Sequence, residues 1–415
     1  MKMQSLMILG RQPALGIAEL ESLYGAHKIR PIGNKAALVD IDPCLMAFDR
    51  LGGSMKFCKV LDNLPTTDWS SIEAYLISQS PGHAESLPKG KLRIGLSSYG
   101  LGVNNRQLAA SGLKIKRAIS LSGRSVRLIP NNEPALNSAQ VLHNKLCGPN
   151  GWELVFVSHN QQTIIAQTVK VQDITSYALR DRGRPKRDSR IGMLPPKLAQ
   201  IIINLAVGKL IDSQLISICD QPDKTVISEP DLKQTILDPF CGTGIILQEA
   251  RLMGYRTYGT DREPRMVDFS KQNLEWFDHQ FRRQNKHQSQ FEIADATNYE
   301  WQLPIDFVAS ETYLGRPFSS QPAPQILTQT MGDCEAIIKK FLLNIQHQLK
   351  PGARLCIAVP AWQVKPDQFK VLPLIDQISQ MGYNRLSFEH LGDKDLFYYR
   401  PDQIVARQLL VLSRK

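Results

Sequence analysis

The stretch Ile236-Leu237-Asp238-Pro239-Phe240-Cys241-Gly242-Thr243-Gly244 decides how the second half of this chain folds. An apolar strand runs into an acid, passes through a turn with two glycines, and enters a helix. Glycine there permits positive φ and the close approach of a ligand. In a doubly wound sheet such a first loop lies beyond the carboxyl ends of the strands, where ligands bind. Outward from this loop, strand-like runs at 235–237, 257–259, 291–294, 305–310 and 354–359 alternate with helical runs at 244–252, 265–277 and 334–349. That alternation predicts a mostly parallel sheet with helices on both faces. Two last strand-like runs, 385–390 and 404–413, have only loop between them and predict an antiparallel edge pair.

Two cofactor classes use a loop of this kind. A dinucleotide needs Gly-x-Gly-x-x-Gly, with its pyrophosphate on the helix N-terminus. Here Ile246 and Leu247 follow the second glycine, the third glycine is absent, and Asp238 would repel a pyrophosphate. A cationic ligand with a free amine, such as S-adenosylmethionine, prefers that carboxylate nearby. Asp261 ends the next strand, where it can accept both ribose hydroxyls of an adenosine. Asp295-Ala296 follows the third strand, where a carboxylate could accept an adenine amino group. Each acid alone suits an ordinary strand end. Three at successive strand ends point to a methyl-donor site, and a dinucleotide oxidoreductase is the least favoured reading.

The chain has 415 residues, 42% hydrophobic and 21% charged, which is globular composition with room for two or three domains. No run approaches the ~20 apolar residues of a membrane span. The N-terminal MKMQSLMILGRQPALG lacks a long apolar region and a small-residue cleavage site, and is expected to form a first strand. Seven cysteines are scattered without a Cys-x-x-Cys pair, which disfavours a zinc ribbon or a disulfide framework and fits the cytoplasm. No metal is expected. Net charge is +11 with a pI near 9.3. Residues 106–190 hold fourteen Lys/Arg against five Asp/Glu, so most of the excess is concentrated there. A surface so localised in charge attracts polyanions, and nucleic acid is the partner expected from charge alone.

Several segments together resemble the THUMP-domain tRNA guanosine-10 N2-methyltransferase family, among the class I S-adenosylmethionine-dependent RNA methyltransferases. Asp238–Ala250 resembles the first motif in its Asp-Pro-Phe-Cys-Gly-Thr-Gly form. Residues 6–24 (LMILGRQPALGIAELESLY) look like the family's N-terminal module, and residues from about 92 to 171 look like a THUMP domain. Gly192-Met193-Leu194-Pro195-Pro196-Lys197-Leu198-Ala199 resembles the helix that leads into the catalytic domain and helps close over the cofactor. The resemblance implies an α/β chain with four parts. These are an N-terminal α/β module, ferredoxin-like or THUMP-like, at 1–85; a THUMP-like RNA-binding domain at 86–172; a basic connector at 173–192; and a Rossmann-like doubly wound methyltransferase domain with an antiparallel C-terminal edge strand at 193–415. It further implies S-adenosylmethionine held by Asp238, Phe240, Gly242, Gly244, Asp261, Asp295, Ala296, Leu194 and Pro195. The expected activity is methylation of an exocyclic amine, guanosine N2 of tRNA, by a monomer engaged in tRNA processing.

The catalytic motif departs from the family. Amino-methyltransferases usually end the fourth strand with Asp, Asn or Ser, then Pro-Pro and an aromatic; here the chain reads Ser310-Glu311-Thr312-Tyr313-Leu314-Gly315. An exocyclic amine is a poor nucleophile because its lone pair is delocalised into the base. An acceptor side chain and a carbonyl must hold its hydrogens, and an aromatic face must grip the extruded base. In one register Ser310 is the first acceptor, the Thr312 region supplies the carbonyl and Tyr313 stacks. In the other, Glu311 replaces the acid, and a site built on Glu311 and Tyr313 with Ser310 beside them is the favoured expectation. For RNA, Arg180, Arg182, Arg184, Lys186, Arg187 and Arg190 form the most basic patch, in an exposed connector. Lys114, Lys116, Arg117, Arg124 and Arg127 add another in the THUMP-like part. The alternatives are a DNA or ribosomal RNA amino-methyltransferase and a noncatalytic RNA-binding protein with a degenerate methyltransferase fold.

Overall fold

The computed structural model describes residues 4–188, 193–210, 234–281, 289–302, 304–318, 320–365, 367–400 and 402–415. Residues 5–171 build one eight-stranded sheet from β1 (Ser5–Leu9), β2 (Ile29–Ile32), β3 (Ala36–Val39), β4 (Ser54–Leu64), β5 (Leu92–Tyr99), β6 (Val126–Leu128), β7 (Gly151–His159) and β8 (Gln162–Val171). Their order is β2-β3-β1-β4-β8-β7-β5-β6. The long strand β4 pairs antiparallel with both β1 and β8, so residues 1–85 and 86–172 share a sheet. Period-two alternation explains the two faces. Leu6 and Ile8 join Val155 and Val157 on one side, whereas Met7 and Leu9 pack with Leu20 and Leu23 of α1 (Pro13–Tyr24).

Helices α2 (Trp69–Ser86), α3 (Asn105–Leu121) and the short α4 (Ser138–His143) complete this half. Ser80-Pro81-Gly82 reads as a break in the sequence, yet α2 runs through it. Ile72, Leu76, Ser80 and Ala84 make one buried stripe at four-residue spacing. Proline removes one helical hydrogen bond; burial of that stripe against Ile115, Ile119 and Trp152 outweighs the loss. Among the cysteines, Cys58, Cys147, Cys241, Cys334 and Cys356 are free thiols. Cys44 is disulfide-bonded, which its isolated spacing did not suggest, because pairing depends on the fold rather than on spacing.

The described part of the connector is only partly the exposed strap that its charge predicts, with Arg182 and Arg187 exposed but Arg180 and Arg184 buried. Residues 174–182 form α5 (Ile174–Arg182), and α6 (Pro196–Val207) follows, buried along nearly its whole length. The second sheet has the order β11-β10-β9-β12-β13-β17-β15. Its strands are β9 (Thr235–Asp238), β10 (Arg256–Asp261), β11 (Ser289–Ile293), β12 (Phe307–Glu311), β13 (Arg354–Lys365), β14 (Gln368–Lys370), β15 (Tyr383–Arg385), β16 (Phe397–Tyr398) and β17 (Val405–Arg414). The five from β11 to β13 run parallel, and β17 pairs antiparallel with β13 and β15. Helices α7 (Ile245–Leu252), α8 (Pro264–Gln280) and α9 (Pro324–Gln346) connect them; α9 starts ten residues before the periodicity suggests. This is the doubly wound sheet with an antiparallel edge that the sequence predicts. The direction of travel reverses between β9 and β12, and ligands bind at such a switch point.

The two halves share buried contacts. Leu15 and Ala18 of α1 lie in the core made by α6 and α7. Glu19 accepts from the N–H groups of Gly52 and Gly53, each at 2.9 Å, and from Asn204 Nδ2 at 2.7 Å. A Cβ at Gly52 would stand 2.0 Å from the Lys197 carbonyl oxygen, so only glycine lets the turn meet α6. Among the described residues no helix is long and apolar enough to cross a membrane.

Candidate active site

The 238–244 loop takes its shape from two glycines with positive φ, Gly242 at 50° and Gly244 at 81°. Cys241 N–H donates to the Thr260 carbonyl at 2.9 Å, and Ser270 Oγ donates to the Gly242 carbonyl at 2.8 Å. The loop is thereby pinned to β10 and α8. Phe240 packs edge-on against Phe341.

The three acids stand at the ends of adjacent strands, as the sequence suggests. Asp238 is buried and accepts from Ser310 Oγ at 2.6 Å and from Phe240 N–H at 3.3 Å. Burial raises its pKa to about 7, with Asp261 and Glu311 adding repulsion and the two hydrogen bonds opposing. Asp261 accepts from Gly242 N–H and Glu263 N–H, each at 2.9 Å. Its pKa is also raised by burial. Asp295 differs, because the N–H and hydroxyl of Thr297 hold its carboxyl below the usual range. A carboxylate oxygen accepts more than one donor, so these anchoring bonds leave room for a ligand. Ala296 faces the core and its carbonyl takes Asn344 Nδ2 at 3.1 Å, an orientation the sequence did not foresee. Leu194 lies in the same buried cluster as Ile245 and Ile246 of α7, and Pro195 stands at the N-cap of α6.

At the tip of β12 the side chains are mostly committed. Ser310 is buried against Asp238. Glu311 is ion-paired with Arg407 on β17, both side chains largely buried. Thr312 gives both its N–H and its hydroxyl to the Ala358 carbonyl, each at 3.0 Å. Tyr313 is 44% exposed, and burial nudges its hydroxyl pKa upward. The favoured expectation put Glu311 in the acid's place; the ion pair ties it away, whereas Ser310 meets a carboxylate from the neighbouring strand. Sequence reasoning missed Arg407, whose partner is 96 positions away. Nothing local could have linked them.

The basic residues divide. Arg117, Arg127, Arg182 and Arg187 are exposed, and Lys116 and Lys186 are half-buried. Lys114 is exposed but paired with Glu73 at 2.7 Å. Arg124 donates to the carbonyls of Leu87 and Pro88 and to Asn150. Arg180 is buried in an ion pair with Glu249 at 2.8 Å and cannot serve a phosphate on the surface. Arg184 is also buried, beside Thr243. Arg190 lies outside the described residues. Among the described residues no group of three or more His, Cys, Asp or Glu is placed to hold a metal ion.

With this geometry in view, the match to known proteins is direct: residues 231–393 match the methyltransferase domain family. The matched stretch, from just before β9 into the region that follows β15, is similar in sequence to a methyltransferase domain. The chain is 29% identical over 172 residues to a protein of Methanothermobacter thermautotrophicus named tRNA (guanine(10)-N2)-dimethyltransferase, covering 41% of this chain and 39% of that one. A Pyrococcus abyssi protein of the same name is 30% identical over 110 residues, 26% of each chain. These stretches span well under half the length of either relative. TrmN from Thermus thermophilus superposes over 100% of both chains with a TM-score of 0.50 at 14% identity, a likeness of fold. The resemblance to the tRNA guanosine N2-methyltransferase family is borne out. The loop, the three acids and Ser310 all fall within the matched methyltransferase domain.

Proposed function

We propose that this protein transfers a methyl group from S-adenosylmethionine to an exocyclic amine of RNA, with N2 of a tRNA guanosine as the target. The observation that carries this reading is the Ser310–Asp238 hydrogen bond, made across the tips of β9 and β12, with the exposed Tyr313 three residues beyond Ser310 in the chain. The names of the two curated relatives support the choice of tRNA and of guanosine N2. The donor set fits the cofactor: carboxylates at three adjacent strand ends suit a cationic adenosyl ligand, and a buried Asp238 with a raised pKa gains from a positive neighbour.

The cofactor, when bound, supplies an electrophilic methyl carbon on its sulfonium. Asp261 is placed to accept ribose hydroxyls and Asp295 an adenine amino group, while Asp238 faces the positive charge. Ser310 Oγ keeps its own proton on Asp238, so its lone pairs can accept an amine N–H and turn the nitrogen lone pair outward. Tyr313 offers its ring to an extruded base. The amine proton lost after attack passes to Ser310 Oγ as the serine proton moves to the Asp238 carboxylate. Arg117, Arg127, Arg182 and Arg187 hold phosphates and position the substrate.

The test is to incubate the purified full chain with labelled S-adenosylmethionine and unmodified tRNA, then digest and identify the nucleoside. N2-methylated guanosine is expected. Label in DNA or ribosomal RNA alone would reject the tRNA assignment. Cofactor and tRNA binding without transfer would favour the noncatalytic reading.

A further inference from the structure

Arg184 has surroundings that fit a surface phosphate contact poorly. It is 3% exposed. Its Nη1 donates to Thr243 Oγ1 at 3.2 Å and to the Thr243 carbonyl at 3.5 Å. Among the described residues the other edge of the guanidinium is poorly satisfied: Nε has no hydrogen-bond partner, and Nη2 reaches the sulfur of Met193, a weak acceptor, at 4.0 Å. Among the described residues no carboxylate forms an ion pair with it; Glu249 pairs with Arg180 through Oε1. Burial lowers its pKa to about 10, although the negative charges of Asp181 and Glu249 oppose the shift without bonding to it. Leaving such a charge uncompensated is costly, so its retention calls for an anion.

The segment around it is fixed. Asn273 of α8 gives its Nδ2 to the carbonyls of Thr243 and Lys186, at 2.8 Å and 2.9 Å, and accepts the Lys186 N–H at 2.9 Å. Residues 184–186 are thus stapled to the same loop that ends in Gly244. The open Nε and Nη2 edge is the side-on fork that takes a carboxylate through two parallel hydrogen bonds.

We infer that Arg184 binds the carboxylate of the cofactor's amino-acid tail. The inference rests on the cofactor reading above. That tail is a zwitterion: its ammonium group suits Asp238, but its carboxylate would be repelled by the acids of the site unless a cation faces it. Arg184, held at Thr243 of the same loop, supplies that cation, with the flexible Met193 side chain giving way.

The experiment is calorimetry on the full chain with two probes. S-adenosylhomocysteine carries the amino-acid tail; 5′-methylthioadenosine carries the same adenosine and thioether without it. Arg184→Met should weaken S-adenosylhomocysteine roughly 10- to 100-fold and leave methylthioadenosine unchanged, which also shows that the site is folded. Arg184→Lys, keeping charge but not the fork, should fall between. Equal affinity of Arg184→Met for S-adenosylhomocysteine overturns the inference, as does parallel loss of both probes, which would make Arg184 a prop for the loop. Loss of tRNA binding with S-adenosylhomocysteine binding intact overturns it in favour of a phosphate contact. Wild-type protein that bound neither probe would overturn the cofactor reading itself, and the inference with it.

Discussion

Strands β9 and β12 end side by side at the centre of the second sheet, but their tips have been put to different uses. The β9 tip is shaped by backbone: two positive-φ glycines turn the chain, and Asp238 meets Ser310. The β12 tip is shaped by side chains, and Ser310, Glu311 and Thr312 are each bound to another strand. A need for backbone conformation leaves a local trace in residue type, so the β9 loop can be read from nine letters. A need for side-chain partners leaves none, because Asp238, Ala358 and Arg407 arrive from elsewhere in the chain.

The comparison can be broken at Ser310. If its hydroxyl links the amine to Asp238, Ser310→Ala should lower the transfer rate by roughly two to three orders of magnitude, the usual cost of one essential polar group in a site. Binding of S-adenosylhomocysteine should persist. Transfer within a few-fold of wild type would show that the β12 tip works through another residue. Glu311→Gln is the next largest effect and reads the opposite way. It leaves Arg407 largely buried without its counter-charge, which should cost roughly 3 kcal/mol in urea unfolding while transfer changes by less than about tenfold. Preserved stability with abolished transfer would restore Glu311 as the acceptor and displace Ser310.

The same contrast explains what could be read beforehand. The parallel sheet, its antiparallel edge and the three acids follow from alternation and strand ends, which are local properties. The β1 strand and helix α1 were legible for the same reason. Helix α2 was not, because Pro81-Gly82 is a strong local signal that the buried stripe from Ile72 to Ala84 overrides. Nor was the fate of the connector. Six basic residues in eleven positions predict a solvated strap, but charge count does not reveal that Glu249 waits under Arg180 or that Thr243 lies under Arg184. The register of the catalytic motif stayed open in the sequence because Ser310 and Glu311 are both plausible acceptors. Pairing with Arg407 removes one of them.

The smallest effect concerns protons at the β9 tip. Burial lifts the Asp238 pKa from 3.8 to about 7, so between those values the folded state holds a proton that the unfolded chain has lost. The stability linked to this group is therefore complete below about pH 4 and declines as pH rises towards 7. Glu19, buried between the two halves, is lifted from 4.5 to about 7 and contributes with the same sign. Asp238→Asn keeps an acceptor for Ser310 and removes one of the two titrations. The Tm of the ligand-free protein should fall by a few degrees from pH 4.5 to 7.5 in wild type, and by less in the variant. A slope identical in both proteins would mean that Asp238 is ionised throughout that range. It would then already carry the charge that a cationic ligand needs, and it would be a weaker proton acceptor at the end of the relay through Ser310.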